Sequence, residues 1–162
     1  MHENTTVEVI ARGVYVVNGH LLLCHGKKSN LTYLPGGHIE FRETAQQALA
    51  REMEEELGRD AEVGRFLGCC EHAFMQNGVP HAEINLVFEL SIPGLVPGGV
   101  VTAAEEWIGF RWHPLNALRE ANLEPAPLRD ALAEWLQNPG GHVVSGNEWI
   151  DTQAPLPGTS AP

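Results

Sequence analysis

Gly37–Arg59 reads GHIEFRETAQQALAREMEEELGR and combines the signature of a capped helix with a cluster of carboxylates. Thr44 and Gln47 match the S/T-x-x-E/Q pattern of a capping box, which predicts that a helix begins there. Gly58 stands where helices commonly end in a left-handed residue. Between the two ends, apolar residues recur every four positions and predict a buried stripe: Ala45, Leu49, Met53 and Leu57.

Three glutamates of this predicted helix, Glu52, Glu55 and Glu56, fall within about 100° of one another around its axis. Carboxylates on one helical face repel, so a basic partner or a bound cation must offset their charge. Hard cations such as Mg²⁺ and Mn²⁺ take oxygen ligands, often one or two carboxylates plus substrate phosphates. Gly36 and Gly37 let backbone and ligand approach closely and free a carbonyl as a further ligand. Taken alone, the cluster fits a solvated glutamate face better than a metal site.

The same stretch resembles the Nudix box, written G-x5-E-x7-R-E-U-x-E-E-x-G-U with U an aliphatic residue. Eight of the nine specified positions match at the required spacing. They are Gly37, Glu43, Arg51, Glu52, Met53, Glu55, Glu56 and Gly58. Arg59 departs from the pattern, which puts local packing rather than chemistry in question. The resemblance implies an α/β fold, an α/β/α sandwich around a mixed β-sheet, over roughly residues 7–137.

The resemblance also implies roles for the box residues. The metal ligands that it implies for Mg²⁺ or Mn²⁺ are the Gly36 carbonyl, Glu52, Glu55 and Glu56. Arg51 would pair with the acidic cluster, with Glu43 as its partner, and would orient it, as residues behind metal ligands do. Arg51, Glu52 and Glu56 are therefore expected to serve catalysis.

The attacking water needs a general base, whose identity the resemblance leaves open. In some members of the family the base is a box glutamate, which here would be Glu56. In others it is a glutamate on a later loop. Residues 91–106 are rich in glycine and proline, and a loop of this length in a compact domain is often functional. Glu105 and Glu106 end this loop and are the second candidates, although ordinary surface acids before a strand show the same pattern.

Substrate contacts are expected from the box and from the ends of a later hairpin. Alternation along a strand places Glu71 and His72 on opposite faces, and either face could line a cleft. Polar strand residues facing solvent are the competing interpretation. The predicted substrate-binding residues are Gly37, His38, Glu43, Glu71, His81 and Glu83.

The implied reaction is attack by water on a phosphorus of a diphosphate linkage. The substrate would be a nucleoside diphosphate joined to another group, as in ADP-ribose, a nucleotide sugar or a (deoxy)nucleoside triphosphate. The products would be a nucleoside monophosphate and a phosphorylated fragment. The main alternative is a non-catalytic Nudix domain that binds a nucleotide as a sensor, which the intact box disfavours. An isomerase of the isopentenyl diphosphate type would need a reactive cysteine in the cleft.

Outside the box, β-rich runs separated by turn signals predict strands. Asn-Gly pairs predict two hairpins, one turning at 18–19 and the other at 77–78. A last amphipathic helix is predicted to start near Pro127. From Asp151 onward the chain is rich in Pro, Gly, Ser and Thr and is expected to be a loose tail. We therefore expect one domain, residues 1–146, followed by a tail, residues 147–162.

Composition narrows the possible partners. The 162 residues suit one domain, and the net charge of −11 disfavours binding to nucleic-acid polymers or anionic membranes. Neither a membrane-spanning run nor a secretory signal is evident, so the cytoplasm is the expected location. The three cysteines, Cys24, Cys69 and Cys70, fit neither a disulfide framework nor a zinc site. The expected partner is a small nucleotide-type molecule, and the sequence leaves open whether the chain also forms a homodimer.

Overall fold

The computed structural model describes residues 6–147. The strands are β1 Val7–Val14, β2 Val16–Val17, β3 His20–Gly26, β4 Thr32–Tyr33, β5 Gly36–His38, β6 Glu62–Gln76, β7 Val79–Ser91, β8 Ile108–Pro114, β9 Leu123–Glu124 and β10 His142–Asn147. The α-helices are α1 Ala45–Leu57 and α2 Leu128–Gln137, and a short 3₁₀ turn spans Leu115–Ala117. The predicted tail falls outside the described residues except for residue 147.

The strands form two mixed sheets. The first sheet has the order β10-β6-β7-β1-β5, in which β7 runs parallel to β1 and antiparallel to β6. In the second sheet, β3 pairs antiparallel with β2, β4 and β8, and β9 joins β4 in parallel. The predicted turns at 18–19 and 77–78 connect β2 to β3 and β6 to β7.

One predicted hairpin differs from the structure in its first strand. The run 7–17 is continuous in sequence, but it is divided near Tyr15 between the two sheets. Only the two residues of β2 pair with β3, while β1 pairs with β5 and β7. Because β1 lies between two partners of the first sheet, its backbone groups are already satisfied there, and the chain must leave that sheet to turn into β3.

Two hydrophobic cores explain why the elements stack in layers. Alternate residues of β3 face different cores: Leu21 and Leu23 pack with Trp135 of α2, and Leu22 packs with Met53 of α1. Each helix buries its apolar stripe against one core, as the spacing predicts. The α/β sandwich is thus confirmed, with the qualification that its β layer consists of two mixed sheets.

The ends of α1 follow the predicted capping. Thr44 accepts from the backbone N–H of Gln47, and the Gln47 side chain accepts from the backbone N–H of Thr44. Gly58 adopts φ 63° and donates its N–H to Glu54. The long loop of residues 91–106 is hydrogen-bonded to this end of α1, because the Ala104 N–H donates to the Glu56 backbone carbonyl at 2.7 Å. This hydrogen bond brings the end of the loop to the end of the box helix.

Within residues 6–147, no helix has both the length and the apolar character needed to cross a membrane. Cys24 and Cys70 are buried and Cys69 is half-buried, and all three are free thiols.

Candidate active site

Helix α1 presents the three glutamates in different environments. Glu56 is buried, with 5% of its surface exposed, although it lies on the same helical face as the others. Glu52 is half-buried, and Glu55 is exposed to solvent. The three carboxylates of the helix therefore differ in solvent exposure, and Glu56 is the one that is buried in the protein.

Arg51 holds the other acidic side chains in place. Its Nε and Nη2 donate to the two carboxylate oxygens of Glu43 at 3.1 and 2.7 Å. Its Nη1 donates to Glu52 at 2.9 Å and to Glu55 at 3.3 Å, and Nη2 also reaches the His38 carbonyl. Hydrogen bonds from Arg51 and from the Glu40 backbone keep the pKa of Glu43 below its usual value.

Two glycines allow the backbone to approach the carboxylates. A Cβ at Gly37 would lie 2.4 Å from the Glu52 carboxyl group, so a side chain there would displace that carboxyl group from its present position. Gly36 adopts φ 137°, and a Cβ there would lie 2.0 Å from the Ala11 carbonyl oxygen. Strand β5 thus runs directly past the acidic face of α1.

The pKa of Glu56 lies far above that of an ordinary glutamate. Burial and the neighbouring charge of Glu52 raise the pKa of Glu56 to about 8, against the opposing influence of Arg12. Glu105 and Glu55 raise that pKa further. Its Oε2 is buried without a hydrogen-bond partner. A buried carboxylate oxygen with no partner is costly, so the site is poised to receive a positive charge.

The loop glutamates are placed differently. Glu105 is half-buried, and its charge acts on Glu56. Glu106 is exposed. The structure therefore groups Glu105 with the box carboxylates. Arg59, the departure from the box pattern, lies exposed in a groove between the end of α1 and loop residues 100–104.

A further charged residue, Arg12 on β1, was not predicted. Its Nη1 donates to the carbonyl oxygens of Leu34 at 3.1 Å and Gly36 at 3.5 Å. Its Nε donates to Asn85 Oδ1 at 3.2 Å, and its guanidinium lies over the Tyr33 ring. The signal available in the sequence was a charged residue in the middle of the apolar run VEVIARGVYVV.

Asn85 and His72 extend this polar chain across the first sheet. Asn85 is fully buried and donates to Glu83 Oε2 at 3.3 Å and to the Cys70 carbonyl at 3.4 Å. His72 is buried, and its Nδ1 lies 3.8 Å from Glu83 Oε2. Burial acts to raise the pKa of Glu83, but the contacts with His72 and Asn85 outweigh it and leave that pKa below its usual value.

The remaining predicted substrate-binding residues lie at three places. His81 pairs with Phe74 and lies on the face that carries Glu83. His38 is exposed on the β5 edge, with Nε2 3.5 Å from a Glu8 oxygen. Glu71 lies on the opposite face, where it accepts from Ser145, because its neighbour His72 takes the Glu83 face. The structure therefore groups Glu83 with His81 and keeps Glu71 apart from them.

The donor set suits a hard divalent cation. Within residues 6–147, no three His, Cys, Asp or Glu side chains already stand together as a ready-made metal site. Mg²⁺ commonly uses one or two carboxylates and completes its shell with water and phosphate oxygens. The carboxylates of Glu52 and Glu56 and the Gly36 carbonyl supply such oxygens. The orphaned Oε2 of Glu56 is the atom that a cation would satisfy.

Comparison with known proteins identifies the family of the chain. The sequence profile described as the NUDIX domain matches residues 7–138. The chain belongs to the Nudix family. As a Nudix hydrolase it is an enzyme that acts on phosphoric anhydride bonds. The match spans every element from β1 to α2 and includes the whole box.

Three solved structures illustrate the likeness. The E. coli ORF135 protein is 25% identical, with 83% of this chain and 94% of that chain covered and a TM-score of 0.60. A MutT Nudix hydrolase from Burkholderia pseudomallei is 25% identical, with 82% and 97% covered and a TM-score of 0.57. An ADP-ribose pyrophosphatase from Streptococcus suis is 17% identical, with 88% and 100% covered and a TM-score of 0.53. At this last identity the likeness concerns the fold alone.

Proposed function

We propose that this Nudix hydrolase cleaves the diphosphate linkage of a nucleoside diphosphate joined to another group, in a reaction that requires Mg²⁺ or Mn²⁺. The products are a nucleoside monophosphate and a second phosphorylated molecule. ADP-ribose, nucleotide sugars and (deoxy)nucleoside triphosphates are the candidate substrates. The observation that carries the proposal is the buried Oε2 of Glu56, which has no hydrogen-bond partner and lies in the field of the Glu52 and Glu105 charges.

Glu52, Glu55, Glu56 and the Gly36 carbonyl would hold the cation. When bound, it screens the phosphate charge and increases the acidity of water. Arg51 keeps the Glu52 carboxylate directed at the β5 backbone, because one guanidinium nitrogen bonds Glu52 while the others are fixed by Glu43. Glu43 has both oxygens engaged by Arg51, so its part in substrate binding is indirect.

Glu105 is our choice of general base. It belongs to a loop fastened to the end of α1, and its charge lies within reach of Glu56. In this role Glu105 accepts the proton of the attacking water. The water oxygen bonds to phosphorus, the anhydride P–O bond breaks, and the departing phosphate leaves as an anion. Glu56 is the competing base. In the cation-free protein its pKa of about 8 keeps it largely protonated at neutral pH, so a bound cation would have to displace that proton before Glu56 could accept one from water.

The test is a substrate panel. Purified protein is incubated with nucleoside triphosphates, nucleotide sugars, ADP-ribose and dinucleotides, in Mg²⁺ or Mn²⁺ and in chelator, and products are separated by chromatography. We expect a nucleoside monophosphate from at least one class in the presence of the cation only. Tight nucleotide binding with no product from any class would instead support the sensor alternative.

A further inference from the structure

The face of the first sheet that carries Glu83 forms an ordered surface of polar and aromatic groups. His72 pairs with Glu83 and Phe74 pairs with His81 across β6 and β7, so all four side chains point to one side. The rings of His72, Phe74 and His81 are stacked, with centroid separations of 4.7 and 5.0 Å. These four residues form the cleft face.

Glu83 is a fixed acceptor on the cleft face. Its contacts with Asn85 and His72 both use Oε2, and its side chain is 14% exposed. An ionised carboxylate only accepts hydrogen bonds, so it attracts N–H donors and repels phosphate and carbonyl oxygens. A diphosphate therefore has no reason to lie there, whereas a group with amino donors does.

Arg12 fixes the direction in which a substrate would extend. One side of its guanidinium meets the Gly36 carbonyl beside the metal-ligand candidates, and the other meets Asn85, which in turn contacts Glu83. The cleft face is thus two side chains away from the diphosphate site. A nucleoside attached to the reacting diphosphate would extend along this chain of contacts, so its base would meet the cleft face.

We propose that Glu83 reads the base of the substrate by accepting a hydrogen bond from an exocyclic amino group, so that amino-bearing bases are preferred over their carbonyl counterparts. This inference rests on the proposed function and adds the nucleoside end of its substrate. Cytosine and uracil make the sharpest contrast, because position 4 carries an amino donor in the first and a carbonyl oxygen in the second. Guanine and hypoxanthine, with and without the 2-amino group, make a second contrast.

The experiment compares matched nucleotides on the wild type and on Glu83→Gln. Hydrolysis of CTP, UTP, GTP and ITP gives kcat/KM ratios, and calorimetric titration with CMP and UMP gives binding without turnover. We expect the wild type to favour the amino member of each pair on the order of 10- to 100-fold, the strength of one hydrogen bond to a charged group. Glu83→Gln should bring the CTP/UTP ratio near one, since an amide both donates and accepts.

Glu89→Gln is the matched control. Glu89 lies on the same strand, but it pairs with Arg65 away from the cleft face, so its substitution should leave both ratios unchanged. A general loss of stability would lower all activities together and would leave the ratios intact. The ratios therefore separate base reading from a structural role of Glu83.

The outcomes distinguish the two proposals. Hydrolysis without preference in the wild type, or a preference that survives in Glu83→Gln, overturns base reading and leaves the hydrolase assignment intact. A preference for CMP over UMP that Glu83→Gln abolishes, with no anhydride hydrolysed, supports base reading and overturns the proposed function. Neither binding nor hydrolysis of these nucleotides, together with no product from any class of the substrate panel, overturns both.

Discussion

Among the three box glutamates, Glu56 has the surroundings that best match a cation ligand and least match a glutamate on a solvated helix face. A glutamate of a solvated helix face would be exposed and ordinary in its pKa, but Glu56 is buried and one of its oxygens lacks a partner. Native proteins seldom leave such a group uncompensated unless a ligand or a function requires it. We therefore expect Glu56 to destabilise the folded protein when no cation is bound.

The stability of cation-free protein should reflect the titration of Glu56. Its pKa is 4.5 in the reference state and about 8 when folded, so the folded state binds the proton more tightly. The resulting contribution to the free energy of unfolding is complete below pH 4.5 and is lost as the pH rises through about 8. At about 1.4 kcal/mol per pKa unit, this contribution amounts to a few kcal/mol. In chelator, urea unfolding should show Glu56→Gln gaining stability over the wild type as pH rises from 5 to 8.5. A difference independent of pH would contradict this.

Arg51 should be intolerant of a conservative change. Lysine keeps the charge but cannot reproduce the planar fork that binds both Glu43 oxygens while bonding Glu52. We expect Arg51→Lys to lower kcat/KM by about 10- to 100-fold, the usual effect of losing a group behind a metal ligand. Steady-state kinetics across cation concentrations measure this, and Arg65→Lys on the exposed rim is the control. Equal effects of the two substitutions would remove the orienting role.

Residues that act through near neighbours were predictable, and those that act across the sheet were not. The box spacing places Arg51 within one helical turn of Glu52 and Glu55, so sequence alone identifies the cluster. Arg12 and Asn85 are 73 positions apart, and their contact depends on the parallel pairing of β1 with β7. No local pattern encodes that pairing.

At the level of elements, the passage of β5 beside α1 decides whether the carboxylates can be used. Gly37 makes this passage possible in an ordinary backbone conformation, so the backbone would accept alanine there. The Cβ of that alanine would, however, collide with the Glu52 carboxyl group. Gly36 differs, because its positive φ and its contact with Ala11 make any side chain a folding defect.

Gly37→Ala should therefore be folded and impaired. Its Cβ would force the Glu52 carboxyl group to move, and we expect kcat/KM to fall by at least ~10-fold while the melting temperature changes little. Gly99→Ala is the control, since a Cβ there meets nothing within 4 Å. Circular dichroism and steady-state kinetics on both variants check this. Wild-type activity in Gly37→Ala would show that the position of Glu52 does not matter.

The long loop gives a second element-level prediction. Glu105 acts on Glu56 and Glu106 is exposed, so Glu105→Gln should lower kcat more than Glu106→Gln does. Loss of a general base typically costs about 10²- to 10⁴-fold. The pH dependence of kcat for each variant measures the effect. A larger loss in Glu106→Gln, or equal losses, would assign the base elsewhere.

At the scale of the whole molecule, the layered fold was predictable and the division of the strands was not. Helical stripes and two Asn-Gly turns are local signals, and each corresponds to an element of the structure. Two features depend on which sheet still has an edge strand with free backbone hydrogen-bonding groups. They are the separation of β1 from β2 and the parallel pairing of β10 with β6. That choice is made by the packing of the complete chain.

The excess of negative charge gives a prediction for the whole molecule. Divalent cations that bind the folded state should raise its melting temperature by mass action. The increase should exceed that produced by monovalent salt at the same ionic strength, and Glu56→Gln should lose most of it. Differential scanning fluorimetry with MgCl₂, MnCl₂ and NaCl measures this. Equal increases in both proteins would indicate general screening of the −11 net charge.

The central claim is that the box carboxylates around Glu56 direct water at an anhydride phosphorus. The most direct test is hydrolysis of the best substrate of the panel in ¹⁸O-labelled water, with mass spectrometry of both products. We expect one ¹⁸O atom on a phosphate of one product, with turnover that needs a divalent cation and falls at least ~100-fold in Glu56→Gln. Wild-type turnover in chelator, or by Glu56→Gln, would contradict it.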